Sequence, residues 1–190
     1  ELPCRARIWM FGTSSLLNQP SITMRLDIPE HKILVHELSL PILWGDMDSL
    51  GHVNNTIYFR YMEQARVTWI EAMTGSLTEA KEGPVIANAF FNFYRPLVFP
   101  GELVVRLYVA SPGRTSIDTF VTIERRDDPA ITYAAGGATL VWVSSEDGRP
   151  MPLPEPIRAL EGKLPALPGS DMPSASASEF IVVAVPMVLQ

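Results

Sequence analysis

The 190-residue chain contains a single cysteine, Cys4, which excludes an internal disulfide framework, and no Cys/His spacing in it resembles a zinc site. A reducing cytoplasm is the expected setting, with no metal. Positive charge is also scarce. With 15 lysines and arginines against 21 acidic residues the net charge is -6, and the lysines, Lys81 included, form no run. Attraction to phosphate backbones is therefore not expected, and nucleic acid is not a predicted partner. Long apolar runs are missing as well. The stretch Phe180 to Leu189 is interrupted by Pro186 and falls short of the roughly 20 residues needed to cross a bilayer. The residues up to Asn18 carry Arg5 and Arg7 without the sustained apolar run of a secretory signal. No membrane span and no export are predicted.

A hydrophobic fraction of 47% over this length suits one domain with a sizeable core and flanking segments. Residues 1–32 show no steady periodicity and are read as an N-terminal extension, with Met24 a candidate natural start. Pro150, Pro152, Pro154, Pro156, Pro165, Pro168 and Pro173 lead into the Ser/Ala stretch from Ser174 to Ser178, the composition of an extended tail. The working domain is thus expected over 33–150, with 151–190 as a tail.

Within that domain, Ile33 to Trp44 reads as a strand followed by a turn cluster from Gly45 to Gly51. The period then changes. Tyr58, Tyr61, Met62, Ala65, Trp69, Ala72 and Met73 recur at three- and four-residue steps, while Arg60, Glu63, Gln64, Arg66 and Glu71 fill the other face. This predicts an amphipathic helix of about five turns, capped by Asn54 or Asn55 and stopped at Gly75. Four further strands are expected, from Val85 to Arg95, Glu102 to Ala110, Thr115 to Arg126 and Ile131 to Ser144, arranged as an antiparallel meander with turns at Phe99 to Gly101, Pro112 to Arg114 and Asp127 to Pro129. In the third of these runs Ile117, Thr119, Val121 and Ile123 alternate with Ser116, Asp118, Thr122 and Glu124, implying one buried and one wetter face. One helix against about five strands is an α+β arrangement with the sheet wrapped around the helix.

The segment from Trp44 to Tyr58 gathers Asp46, Asp48, Gly51, His52, Asn54 and Asn55 into the turn that feeds the helix. Unpaired amides at a helix start can polarise a carbonyl or hold an oxyanion, and a carboxylate a few residues upstream can attack a thioester or activate water. Local chemistry leaves Asp48 open between that role and an Asx-turn. Asp46 is read as structural, and His52 as ordering its loop rather than acting as a base. Arg95 and Arg114 are equally suited to the phosphates of a ligand and to salt bridges that close turns. An EF-hand reading of Asp46, Asp48 and Gly51 fails, because Leu50 and Ile57 stand where oxygen ligands are required.

The run Asp48, Ser49, Leu50, Gly51, His52, Val53, Asn54 and Asn55 resembles the 4-hydroxybenzoyl-CoA thioesterase-like hotdog proteins. The resemblance continues through Tyr58, Tyr61, Glu63 and Arg66, then Tyr94, Arg95 and Pro96 with Pro100 and Gly101, then Gly113, Arg114, Thr115 and Ser116, over roughly residues 35 to 157. Relatives often carry arginine before the aromatic of this motif, where this chain has Leu43. The resemblance implies a hotdog fold, acyl-CoA thioester hydrolysis, Asp48 as the catalytic carboxylate and the Asn55 backbone amide facing the thioester oxygen. It further implies substrate contacts from Gly51, His52, Asn54, Tyr58, Arg95, Arg114 and Ser116, no cofactor beyond the coenzyme A of the substrate, and a dimer or tetramer with acyl sites at subunit interfaces. Two other readings stand beside it, a non-catalytic acyl-CoA-binding hotdog module and a hotdog hydratase or dehydratase.

Overall fold

The computed structural model describes residues 27–78, 80–110 and 112–163. Cys4, Met24 and the run from Phe180 to Leu189 lie outside them. The elements in chain order are β1 (Ile33–Ile42), a 3-10 turn (Trp44–Asp46), α1 (Asn55–Thr74), β2 (Glu82–Phe93), β3 (Gly101–Ala110), β4 (Ser116–Arg125), β5 (Asp128–Ser144), α2 (Glu155–Arg158) and a second 3-10 turn (Glu161–Lys163). This is the expected α+β hotdog class: one antiparallel five-stranded sheet and one long helix.

Local chemistry explains the limits of α1. The Asn54 side-chain oxygen accepts from the Thr56 amide at 2.9 Å, which satisfies one of the donors that a helix start leaves over. At the other end Gly75 adopts φ 88°, a conformation costly for residues with a Cβ, and its amide returns to the Glu71 carbonyl. Tyr58, Tyr61, Met62, Ala65, Trp69 and Ile70 are buried, each large apolar side chain contributing about 1.5–3 kcal/mol. Arg66 departs from expectation. It falls beside the apolar stripe and is buried, so its aliphatic stem serves as packing, while desolvation draws its guanidinium pKa down and Glu63 opposes the shift.

The sheet order is β1-β3-β4-β5-β2, which corrects the predicted meander. Only β3, β4 and β5 follow one another; β2 pairs with β5 at the far edge. The residues between Phe93 and Gly101 are therefore a crossover. Seven residues can span ~23 Å, enough to cross the roughly 14 Å from the last to the first of four neighbouring strands. As an edge strand β2 tolerates Pro84 and begins at Glu82, earlier than Val85. In the other direction β1 stops at Ile42 rather than Trp44.

One row across the inner face runs His36, Leu107, Val121, Gly136, Phe91. The alternation expected in β4 holds for Ile117, Thr119, Val121 and Ile123, which are buried. Glu124, placed on the wetter face, is buried too, because Arg106 donates to its carboxylate at 2.7 Å. The folded unit also passes the expected boundary at residue 150. Met151 donates to the Trp142 carbonyl, Leu153 to that of Arg114, and Leu153, Ile157 and Leu160 enter the core. The proline-rich composition hides three apolar anchors, and α2, which carries Ile157, packs on α1. No helix among the described residues is long and apolar enough to cross a membrane.

Candidate active site

Asp46 holds the loop that carries Asp48. Its carboxylate is 3% exposed and accepts from the Leu43 amide at 3.1 Å, the Tyr61 hydroxyl at 2.7 Å and the Arg60 guanidinium. Its carbonyl accepts the Asn54 amide at 2.9 Å. Burial alone would push this carboxyl up; the donors from Tyr61, Leu43 and Arg60 outweigh it and hold the pKa below the ordinary value. The cation beside Asp46 comes from α1. Tyr61 responds in the opposite sense, its phenol raised by burial and by the neighbouring carboxylate. The structural reading of Asp46 therefore stands.

Between Asp46 and the helix the chain forms a closed loop. Met47 bridges Val53, the Asp48 amide donates to the His52 carbonyl at 2.8 Å, and the Gly51 amide donates to the Asp48 carbonyl at 3.0 Å. Gly51 makes this turn at φ 77°. Two ties bind the loop to the crossover: the Val53 amide to the Leu97 carbonyl at 2.9 Å, and the Phe99 amide to the Met47 sulfur at 3.4 Å. The His52 carbonyl closes the loop as that of any residue could, and its exposed side chain makes no described hydrogen bond.

Asp48 is half-buried and uses one carboxylate oxygen as an Asx-turn acceptor, Oδ1 taking the Leu50 amide at 2.8 Å. None of the described hydrogen bonds reaches its Oδ2. At the helix start the Thr56 amide is satisfied by the Asn54 side chain and the Ile57 amide by the Asn54 carbonyl, whereas the Asn55 amide donates to no acceptor among the described residues. A carboxylate with a free oxygen and a helix-start amide with a free hydrogen thus belong to the two ends of one short, braced loop. Tyr58 lies one turn into α1, buried at 3% exposure, its hydroxyl accepting the Leu97 amide at 3.3 Å. Burial raises its pKa against that hydrogen bond.

The structure brings some expected residues together and separates others. Gly51, His52, Asn54, Asn55 and Tyr58 surround Asp48 in the chain, and Arg95 lies at the same end of the sheet, its amide donating to the Tyr133 carbonyl. Arg114 and Ser116 lie at the other end. Ile42 pairs with Gly101 and Leu103 with Arg125 at the Asp48 end, while Ser116 pairs with Val141 and Ile33 with Val109 at the opposite one. The ten residues of β4 between them correspond to about 30 Å. Within one chain Arg114 and Ser116 do not reach Asp48.

Sequence reasoning missed the apolar surface that borders the loop. Leu43, Trp44, Leu50, Phe93, Tyr94, Val98 and Phe99 are exposed, Trp44 by 77% and Leu50 by 78%. The signal was present in the apolar residues at turn positions, where polar ones are usual.

Comparison with known proteins matches residues 42–160 to the thioesterase-like superfamily. The PA2801 protein of Pseudomonas aeruginosa is 42% identical, its structure superposing with a TM-score of 0.66 over 68% of this chain and 99% of its own. A thioesterase from Thermus thermophilus, solved with coenzyme A and Zn, is 30% identical, with a TM-score of 0.58 over 66% of this chain and 96% of that one. The chloroplastic acyl-acyl carrier protein thioesterase ATL3 of Arabidopsis thaliana is 27% identical over 129 residues, 65% of this chain and 66% of the plant protein. The chain belongs to the thioesterase-like superfamily, and that membership places it among thioester hydrolases.

Proposed function

We propose that the protein hydrolyses an acyl-CoA thioester to the free acid and coenzyme A, with Asp48 as nucleophile or general base and the Asn55 amide polarising the carbonyl. The observation that carries this is the Asp48 Oδ2 and the Asn55 amide, both without a hydrogen-bond partner among the described residues, at either end of the same braced loop. As a base, Asp48 takes a proton from water while the water oxygen adds to the thioester carbon. The carbonyl oxygen gains the negative charge, held by the Asn55 N–H at the positive end of α1. Collapse breaks the C–S bond, and the thiolate recovers the proton from Asp48. As a nucleophile, an Asp48 oxygen adds to the same carbon, the thiolate leaves, and water cleaves the mixed anhydride. A single turnover in heavy-oxygen water tests the second route: label in the Asp48 carboxylate marks an anhydride opened by water at the Asp48 carbon, and an unlabelled enzyme with labelled product excludes opening at that carbon. No thiol release under those conditions overturns both.

Coenzyme A is the favoured carrier. Arg95 and Arg114 are exposed and make no described ion pair, and the net charge of -6 disfavours an acidic carrier protein. The Thermus relative, solved with coenzyme A, supports the same choice.

The site is completed by a second copy. β2 is an edge strand with Ile86, Ala87, Asn88, Ala89 and Phe93 exposed, the surface that pairs with another strand unless covered. Antiparallel pairing of two β2 edges about a two-fold axis sets the Asp48 end of one copy beside the Arg114 end of the other. It also covers apolar surface around Phe93. Light scattering on the eluting protein reads this directly, and a monomer mass would remove the shared site. The single cysteine and the acidic chain suit work in the cytoplasm.

A further inference from the structure

Where the first turns of α1 approach β2, four aromatic rings form one connected cluster. Tyr58 meets Phe93 at 5.0 Å between centroids and 84° between planes, and Phe91 at 5.9 Å and 64°. Phe59 meets Phe91 at 5.1 Å and 89°, and Phe91 lies stacked on Phe93 at 5.9 Å and 26°. These separations belong to rings packed in contact, so no passage for an alkyl chain is left between them.

The cluster also has little room to yield. Tyr58 is fixed by its bond to the Leu97 amide and by an edge contact with Tyr61 at 6.3 Å. Phe91 lies against Gly136, where a Cβ would stand 2.8 Å from its Cδ1, so the ring already occupies the space that a side chain in β5 would fill. Only Phe59 and Phe93, exposed by 37% and 48%, face outward. Tyr58 follows Asn55 by three residues, so an acyl group whose carbonyl sits on the Asn55 amide meets the rings after about 5 Å of helix.

We propose that the rings of Tyr58, Phe59, Phe91 and Phe93 are the chain-length stop of the acyl site and restrict the enzyme to short acyl thioesters; this rests on the thioesterase reading above. The test is kcat/KM of the full chain for acetyl-, butyryl-, hexanoyl-, decanoyl- and palmitoyl-CoA, each below its micellar concentration, for the native protein and Phe91→Ala. An open channel gains about fourfold for each methylene it buries. A stop removes that gain and forces the carbons beyond it against rings already in contact, so the native value is expected to fall at least ~10-fold from hexanoyl to palmitoyl, and the palmitoyl-to-butyryl ratio to rise at least ~10-fold in Phe91→Ala. Should circular dichroism show Phe91→Ala unfolded, Phe93→Ala, at a half-exposed ring, is read for the same ratio. Native turnover of palmitoyl-CoA equal to that of hexanoyl-CoA, or an unmoved ratio in the folded variant, overturns the stop and leaves the hydrolase reading intact. Absence of turnover at every chain length overturns the hydrolase reading and the stop together.

Discussion

Replacing Asp46 by alanine tests whether the loop is held by one buried carboxylate. The substitution removes the acceptor of three donors and leaves the buried Tyr61 hydroxyl and the Leu43 amide without their partner. Hydrogen bonds to a charged group contribute about 1.5–3 kcal/mol each, and breaking a fully buried ion pair costs about 3–5 kcal/mol. The Arg60 side chain is 51% exposed and regains water when freed, so the expected loss is about 3 kcal/mol, toward the lower end of that range. The pH dependence has a definite sign. The Asp46 carboxyl is held below its ordinary value in the folded state, so its contribution is complete above the unfolded value of about 3.9 and disappears as pH falls through the lower folded one. Urea titrations followed by tryptophan fluorescence, from neutral to about pH 3, should therefore show a constant gap between native and Asp46→Ala proteins that narrows below about pH 4. A gap under about 1 kcal/mol at neutral pH, or one of the same size throughout, would refute the clamp.

Two glycines should separate space from conformation. A Cβ at Gly136 would stand 2.3 Å from the Phe90 carbonyl oxygen and 2.8 Å from Phe91, so Gly136→Ala should cost about 1–3 kcal/mol in a melting or urea experiment. Gly51 has open space but φ 77°, and Gly51→Ala should cost about 1–2 kcal/mol from backbone strain alone. Arg114→Ala should raise KM for an acyl-CoA about 10-fold or more, the loss of one charge-assisted contact to phosphate. The native preference for acyl-CoA over the same acyl thioester of N-acetylcysteamine, which lacks those phosphates, should shrink to match.

The long helix was legible because its apolar period, its asparagine cap and its glycine stop all agree. The loop from Asp46 to Asn55 was legible because so many polar and glycine residues fall in one turn. Strand order was not, since nothing local distinguishes a crossover from a hairpin when both end in Pro100 and Gly101. The burial of Arg66 and Glu124 was hidden for a related reason: a charged residue reads as surface until the packing over its stem or its partner is known, and Arg106 lies 18 residues from Glu124. Leu153, Ile157 and Leu160 were masked by the prolines between them. Arg114 matched its motif, yet its distance from Asp48 along the sheet appears only once the strands are paired.

The most direct test of the central claim is thiol release from butyryl-CoA by the native protein and by Asp48→Ala, with circular dichroism showing both folded. The Asp48 side chain makes one described hydrogen bond, to the Leu50 amide, so its loss should cost stability only about 1 kcal/mol while turnover falls by about two orders of magnitude or more. Equal turnover by the two proteins would contradict the assignment of Asp48.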